Sequence, residues 1–242
     1  MPAVDPLPRA LVKWLTAHPS APAITYYGEG GTRIELSAAS TANAVNKAVN
    51  LLTDELLLEQ GDVVRVDLPC HWQTPILAVA AWAAGLTLDL SPEPDGGAAA
   101  TLAAGEATRR PPIGIGLAVS THPWGLPLGE ELPPGWEDTA LLTRGQADSA
   151  AYRWPGNDQP WVNNPEPWTS GALERRCQEL AAAWGLPQGG RLLSSRAPDT
   201  LDGLLGCCLV PALAGGGIIL NNGADPRDVS RQEGNHATLC DV

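Results

Sequence analysis

The stretch at residues 60–90, QGDVVRVDLPCHWQTPILAVAAWAAGLTLDL, decides the fold class. Residues 63–68 form a short apolar run after the Gly61-Asp62 turn and read as a buried strand. Pro69 begins a loop. Pro75 suits the first residue of a helix over 76–84, and Gly85 ends that helix. Residues 86–90 return to a strand pattern. Strand, helix and strand joined by short connections make a βαβ unit, whose strands lie parallel and covered on both faces.

Upstream, Leu7, Ala10, Leu11, Trp14 and Leu15 recur at helical spacing, and His18-Pro19 closes that helix. Residues 23–27 read as a strand, 28–31 as a hairpin turn and 33–36 as the returning strand. Ser37 then caps a long helix with Ala44, Val45, Ala48, Leu51, Leu52 and Leu56 on one face. Downstream, 92–97 reads as a loop, 98–109 as a helix and 113–120 as a strand. Residues 144–167, with Pro155, Gly156, Asn157, Pro160, Asn163, Asn164, Pro165 and Pro167, read as a turn-rich connector. The pattern then restarts. A helix opened by Thr169 or Ser170 carries Leu173, Cys177, Leu180, Ala181 and Trp184. A strand at 192–194, an apolar helical region at 201–214, a strand at 218–220, a helix at 225–233 and a strand at 237–242 follow.

The restart has the look of an internal repeat. Gln60-Gly61-Asp62-Val63-Val64-Arg65 matches Gln188-Gly189-Gly190-Arg191-Leu192-Leu193, and Ala84-Gly85-Leu86-Thr87-Leu88 matches Ala214-Gly215-Gly216-Gly217-Ile218. The expected architecture is therefore α/β. It consists of two related βαβ subdomains with mostly parallel sheets covered by helices. The first spans 1–143, the connector 144–167, and a second, shorter subdomain 168–242.

Composition narrows the partners. The 242 residues carry a formal net charge of −12. Such a surface repels phosphate backbones and anionic headgroups, which argues against nucleic acid and membrane surfaces. No apolar run reaches the ~18 to 20 residues of a membrane helix, and Pro2, Asp5, Pro6 and Pro8 do not make a signal peptide. Cys70, Cys177, Cys207, Cys208 and Cys240 lack CxxC spacing and read as buried, reduced thiols in a cytoplasmic protein. His18, His71, His122 and His236 lack metal-ligand spacing, so neither a metal nor another cofactor is expected.

Two stretches resemble the adenylate-forming (AMP-binding) superfamily, which includes acyl-CoA synthetases, peptide adenylation domains and luciferases. One is 22–52, PAITYYGEGGTRIELSAASTANAVNKAVNLL, continued by 60–90. The other is 203–222, GLLGCCLVPALAGGGIILNN, followed by 224–239, ADPRDVSRQEGNHATL. The resemblance implies the large N-terminal domain of such an enzyme. It also implies a phosphate loop, [ST]-S-G-[ST]-[ST]-G-x-P-K-G, whose amides, hydroxyls and Lys hold ATP phosphates. Here Thr169-Ser170-Gly171 starts that way but continues Ala172-Leu173-Glu174-Arg175-Arg176 and reads as a helix start. The family's Y-G-x-[ST]-E motif, ribose-binding Asp and catalytic Lys are not found before Val242. The member is therefore read as truncated and degenerate, with no catalytic and no cofactor-binding residue carried over.

Other candidates divide between function and packing. Gly215-Gly216-Gly217 follows a helix and precedes a strand, the reverse of a phosphate turn, so it reads as a helix end. Gly114 and Gly116 lack a third glycine, and Ser120, Ser194 and Ser195 lack a nucleophile elbow. Two loops fall at carboxyl ends of strands, where α/β sheets place ligands. They carry His71 and Trp72, and Ser194, Ser195 and Asp199, which are assigned as a vestigial cleft between the halves. Trp124, Trp136, Trp154, Trp161 and Trp168 read as anchors of the middle segment. The functional expectation is a non-catalytic protein with a binding or interaction role. The alternatives are a small-molecule binder retaining an adenine nucleotide, CoA or acyl pocket, and an enzyme of unrelated chemistry.

Overall fold

The computed structural model describes residues 6–92, 97–129 and 131–239. Helix α1 (Pro6–Thr16) leads to the antiparallel pair β1 (Pro22–Tyr27) and β2 (Arg33–Ser37), then to α2 (Ala38–Asn50) and a π-turn over Leu51–Glu55. Next come β3 (Val63–Asp67), α3 (Gln73–Ala83), β4 (Thr87–Asp89) and β5 (Ala100–Ala103). A 3-10 turn over Gly105–Arg109, β6 (Ile115–Ala118), β7 (Trp136–Asp138) and α4 (Thr139–Arg144) follow. The hairpin β8 (Pro160–Asn164) and β9 (Glu166–Thr169) runs directly into α5 (Ser170–Ala183). The rest is β10 (Leu192–Ser194), α6 (Leu201–Cys207), α7 (Leu209–Ala214), β11 (Ile218–Asn221), α8 (Pro226–Glu233) and β12 (Ala237–Leu239).

The fold is α/β, as expected, with two mostly parallel sheets. One has the order β12-β10-β11-β1-β2, and the other β7-β6-β5-β3-β4-β8-β9. Among the described residues only β2 and β9 run antiparallel to their neighbours. The two halves of the repeat each form a βαβ unit. β3 and β4 pair in parallel with Val64 opposite Leu88, and β10 and β11 pair in parallel with Leu193 opposite Ile219. The helix inside the first, α3, is buried at every residue from Ile76 to Ala83, because both ends of the apolar run are enclosed.

The compact units do not follow chain order. One is formed by residues up to 42, 70–75 and 170 onward, and the other by 43–69 and 76–169. The sequence reading instead divides the chain consecutively. A partner strand's position in the sheet is not written into the order of elements, so interleaving leaves no local signal.

Three local expectations change. Residues 98–109 are not a helix: β5 sits between β3 and β6 with all four of its residues buried. A central parallel strand has no polar face to alternate, and its alanines mimic a helix. Residues 144–167 are more than a connector, since β8 and β9 add two strands to the sheet. Trp161 is fully buried, takes the Trp82 indole hydrogen on its carbonyl at 2.9 Å, and stacks on Trp154 at 5.9 Å. The anchoring role holds for Trp161 and Trp136, whereas Trp124 is 68% exposed. The helical region at 201–214 breaks at Cys208 (φ −142°, ψ −60°), because Pro211 has no N–H to bond one turn back. The expected strand residues 240–242, loop residues 93–96 and Cys240 lie outside the described residues.

One buried carboxylate ties α8 to the first sheet. Glu233 accepts from Tyr27 Oη at 2.6 Å, Arg33 Nε at 2.7 Å and Arg191 Nη1 at 2.9 Å, and its side chain is only 5% exposed. Arg191 Nη2 continues to Thr25 Oγ1 at 2.8 Å. Burial alone would raise the Glu233 pKa, but the donors from Arg33, Tyr27 and Arg191 reverse this and bring it to about 2. The unfolded chain therefore takes up a proton before the folded one as pH falls toward 2. Stability contributed by this group is present above the ordinary glutamate range and lost below it. Urea unfolding at pH 5 and pH 3 is expected to show a loss of about 1 kcal/mol from this group, once screening is allowed for. In Glu233→Gln that part of the acid sensitivity disappears, while stability at pH 7 falls.

Candidate functional site

Strands β10, β11 and β1 lie side by side, so their carboxyl ends form one surface made by Ser194-Ser195, Asn221-Asn222 and Tyr26-Tyr27. The segment 70–75 belongs to the same unit and packs onto that surface. Cys70 Sγ stands 3.8 Å from the Ser194 carbonyl oxygen and 3.8 Å from that of Asn221. The His71 ring meets Tyr26 edge-on, with centroids 4.7 Å apart, and lies 5.5 Å from the Trp72 ring. The Gln73 amide donates to His71 Nδ1 at 3.4 Å, and the Thr74 amide to the His71 carbonyl at 3.1 Å. This turn leads directly into α3.

The other side is held by Asn221. Its Nδ2 donates to Ser195 Oγ at 3.2 Å and to the Ala224 carbonyl at 3.0 Å, and its Oδ1 accepts the Ala224 amide at 3.1 Å. Ser194 Oγ accepts the Arg196 amide at 3.2 Å. Ser194, His71 and Asn221 are buried. Burial pushes the Tyr26 hydroxyl above its ordinary range, with the Asn222 side-chain hydrogen bond opposing it.

Of the residues singled out from the sequence, His71, Trp72, Ser194 and Ser195 gather at this strand end. Asp199 instead lies exposed in the turn before Thr200, which caps α6 by accepting the Gly203 amide. Tyr26 and Asn221 went unremarked. The signal that finds them is the placement of β11 between β10 and β1, which no local pattern encodes. Chemically the cluster offers an imidazole, hydroxyls and an amide. Among the described residues no group of three His, Cys, Asp or Glu side chains is arranged to hold a metal ion.

Thr169 ends β9 and Ser170 opens α5, so Thr169-Ser170-Gly171 is a helix start. A Cβ at Gly171 would meet nothing closer than Arg175 Nη1 at 3.7 Å, so no close approach requires the glycine. In the preceding hairpin Asn164 pairs with Glu166, leaving Pro165 alone in the turn. Gly215 ends α7 in the left-handed region (φ 70°), and a Cβ at Gly216 would lie 1.7 Å from the Gly190 carbonyl oxygen. The triple glycine is a helix end packed on backbone.

No protein-family model matches the chain. A TIGR03089 family protein of Mycobacterium tuberculosis (strain ATCC 25618 / H37Rv) is 34% identical over 232 residues, covering 90% of each chain. The chain belongs to the TIGR03089 family. Among solved structures, this TIGR03089 chain is similar to the acyl-CoA synthetase of Brucella canis, with a TM-score of 0.79 and 17% identity, covering 98% of this chain and 47% of that one. The acetoacetyl-CoA synthetase of Streptomyces lividans gives a TM-score of 0.68 at 19% identity, covering 90% and 38%. Apo MatB from Rhodopseudomonas palustris gives 0.66 at 15%, covering 96% and 48%. The chain thus spans about half the length of the solved structures it matches, or less, and shares the fold of their N-terminal domain.

Asn221 makes the cluster's stability testable. Asn221→Ala removes the hydrogen bonds to Ser195 Oγ and to the Ala224 backbone, and is expected to cost about 1–3 kcal/mol in urea unfolding.

Proposed function

We propose that this chain is a non-catalytic relative of acyl-CoA synthetases, acting through binding or interaction rather than by adenylating a carboxylate. The observation that carries the reading is the β8–β9 hairpin and its junction with α5. A loop that holds a triphosphate needs consecutive free backbone amides, glycines that let them converge, and a cation. Here one residue, Pro165, makes the turn between the paired Asn164 and Glu166, and proline has no amide hydrogen. Residues 160–171 hold a single glycine, no Lys and no Arg, and Glu166 adds negative charge. β9 then passes straight into α5, so no second loop is available at this point.

The acidic composition supports a partner other than nucleic acid or an anionic membrane. Among the described residues no helix is long and apolar enough to cross a membrane. Cys177, Cys207 and Cys208 are free and buried, and the Cys70 thiol is buried too, which suits a reducing, cytoplasmic setting.

The test is ATP–pyrophosphate exchange with short, medium, long-chain and aromatic carboxylates. The expected result is exchange no faster than the protein-free control for every acid. Exchange above that background with any of them overturns the reading.

A further inference from the structure

The amino ends of the same three strands border a pocket of about 360 Å³, inside the range of small-molecule sites. It lies at the opposite end of the sheet from the His71 cluster, separated by strands about 10–13 Å long. Trp14 and Ala17 of α1 and its exit, Pro22 and Ala23 of β1, Ala38 of α2, and Ala214 at the end of α7 make apolar walls. Every ionisable side chain on the lining is basic: Lys13, His18 and Arg191. In a chain with 27 acidic residues against 15 Lys and Arg, that is a marked local reversal of charge.

The three basic side chains are not equivalent. Arg191 is already balanced by Glu233. Lys13 makes no ion pair among the described residues, so its charge is the one left to meet a ligand, and the His18 imidazole on the same lining adds a polar group. Lys13 also sits in the last turn of α1, where one full charge outweighs the partial negative charge of the helix end. Trp14 is 8% exposed and its indole N–H has no acceptor among the described residues, the kind of donor that an acceptor-bearing ligand satisfies. The glycines at the rim leave space, since a Cβ at Gly189 or Gly215 would meet nothing within 4 Å.

We propose that this pocket binds a small organic anion, an apolar body bearing one carboxylate, with the body against Trp14 and the alanines and the carboxylate toward Lys13 and His18. The site is independent of the β8–β9 hairpin, so absence of adenylation and presence of this binding are separate outcomes.

The experiment titrates the full chain with sodium benzoate and with the neutral benzyl alcohol, by calorimetry and thermal shift. Benzoate is expected to bind saturably and raise Tm, with at least tenfold higher affinity than benzyl alcohol. Lys13→Glu/His18→Glu, both at exposed positions, is expected to weaken benzoate binding at least tenfold with an unchanged circular dichroism spectrum. Ala17→Trp, which narrows the rim, is expected to weaken both ligands. No benzoate binding up to 10 mM (roughly the weak end for small ligands), equal affinity for the two, or full benzoate affinity in the charge-reversal variant overturns the proposal.

Discussion

The backbone approach that lets β11 enter between β10 and β1 is the constraint on which the first unit rests. A Cβ at Gly216 would lie 1.7 Å from the Gly190 carbonyl oxygen, and one at Gly217 would lie 2.6 Å from that of Pro22. Any side chain there forces the strand away from both neighbours. With β11 seated, Ile218 and Ile219 face partners on either side, Leu192 and Leu193 in β10 and Ile24 and Thr25 in β1. The carboxyl ends then converge as the Tyr26, Ser194 and Asn221 surface, and the amino ends as the pocket beside Trp14. Both features follow from one close approach.

The Glu233 cluster fixes the same sheet from its side. Tyr27, Arg33 and Arg191 come from β1, β2 and the start of β10, and a single carboxylate at the end of α8 gathers their hydrogens. A charge this buried is tolerable only when fully paired. The packing of Val229 against Tyr27, Leu193 and Ile219 depends on α8 being held there.

The sequence made the βαβ units legible because their apolar runs, capping residues and closing glycines are local. Ser37, for example, accepts the Ser40 amide as its position predicts. What stayed hidden depends on partners distant in the chain. Strand β5 has the composition of a helix and becomes a strand only between β3 and β6. His71, Trp72, Ser194 and Ser195 were readable as loop residues after strands, yet Tyr26 and Asn221 emerge only from the sheet order. Asp199 shared their loop and not their surroundings. The departure from the phosphate-loop pattern after Thr169-Ser170-Gly171 is legible as residue identities alone. That β9 passes straight into α5 at these residues needed the structure.

The central claim is that the β8–β9 hairpin leaves nothing to hold a triphosphate. It is tested most directly by calorimetric titration of the full chain with ATP and magnesium. The account predicts no saturable heat at nucleotide concentrations up to several millimolar, on the order of the weakest specific binding. Saturable one-site binding with a Kd below about 100 μM, on the order of −5 kcal/mol, would contradict it.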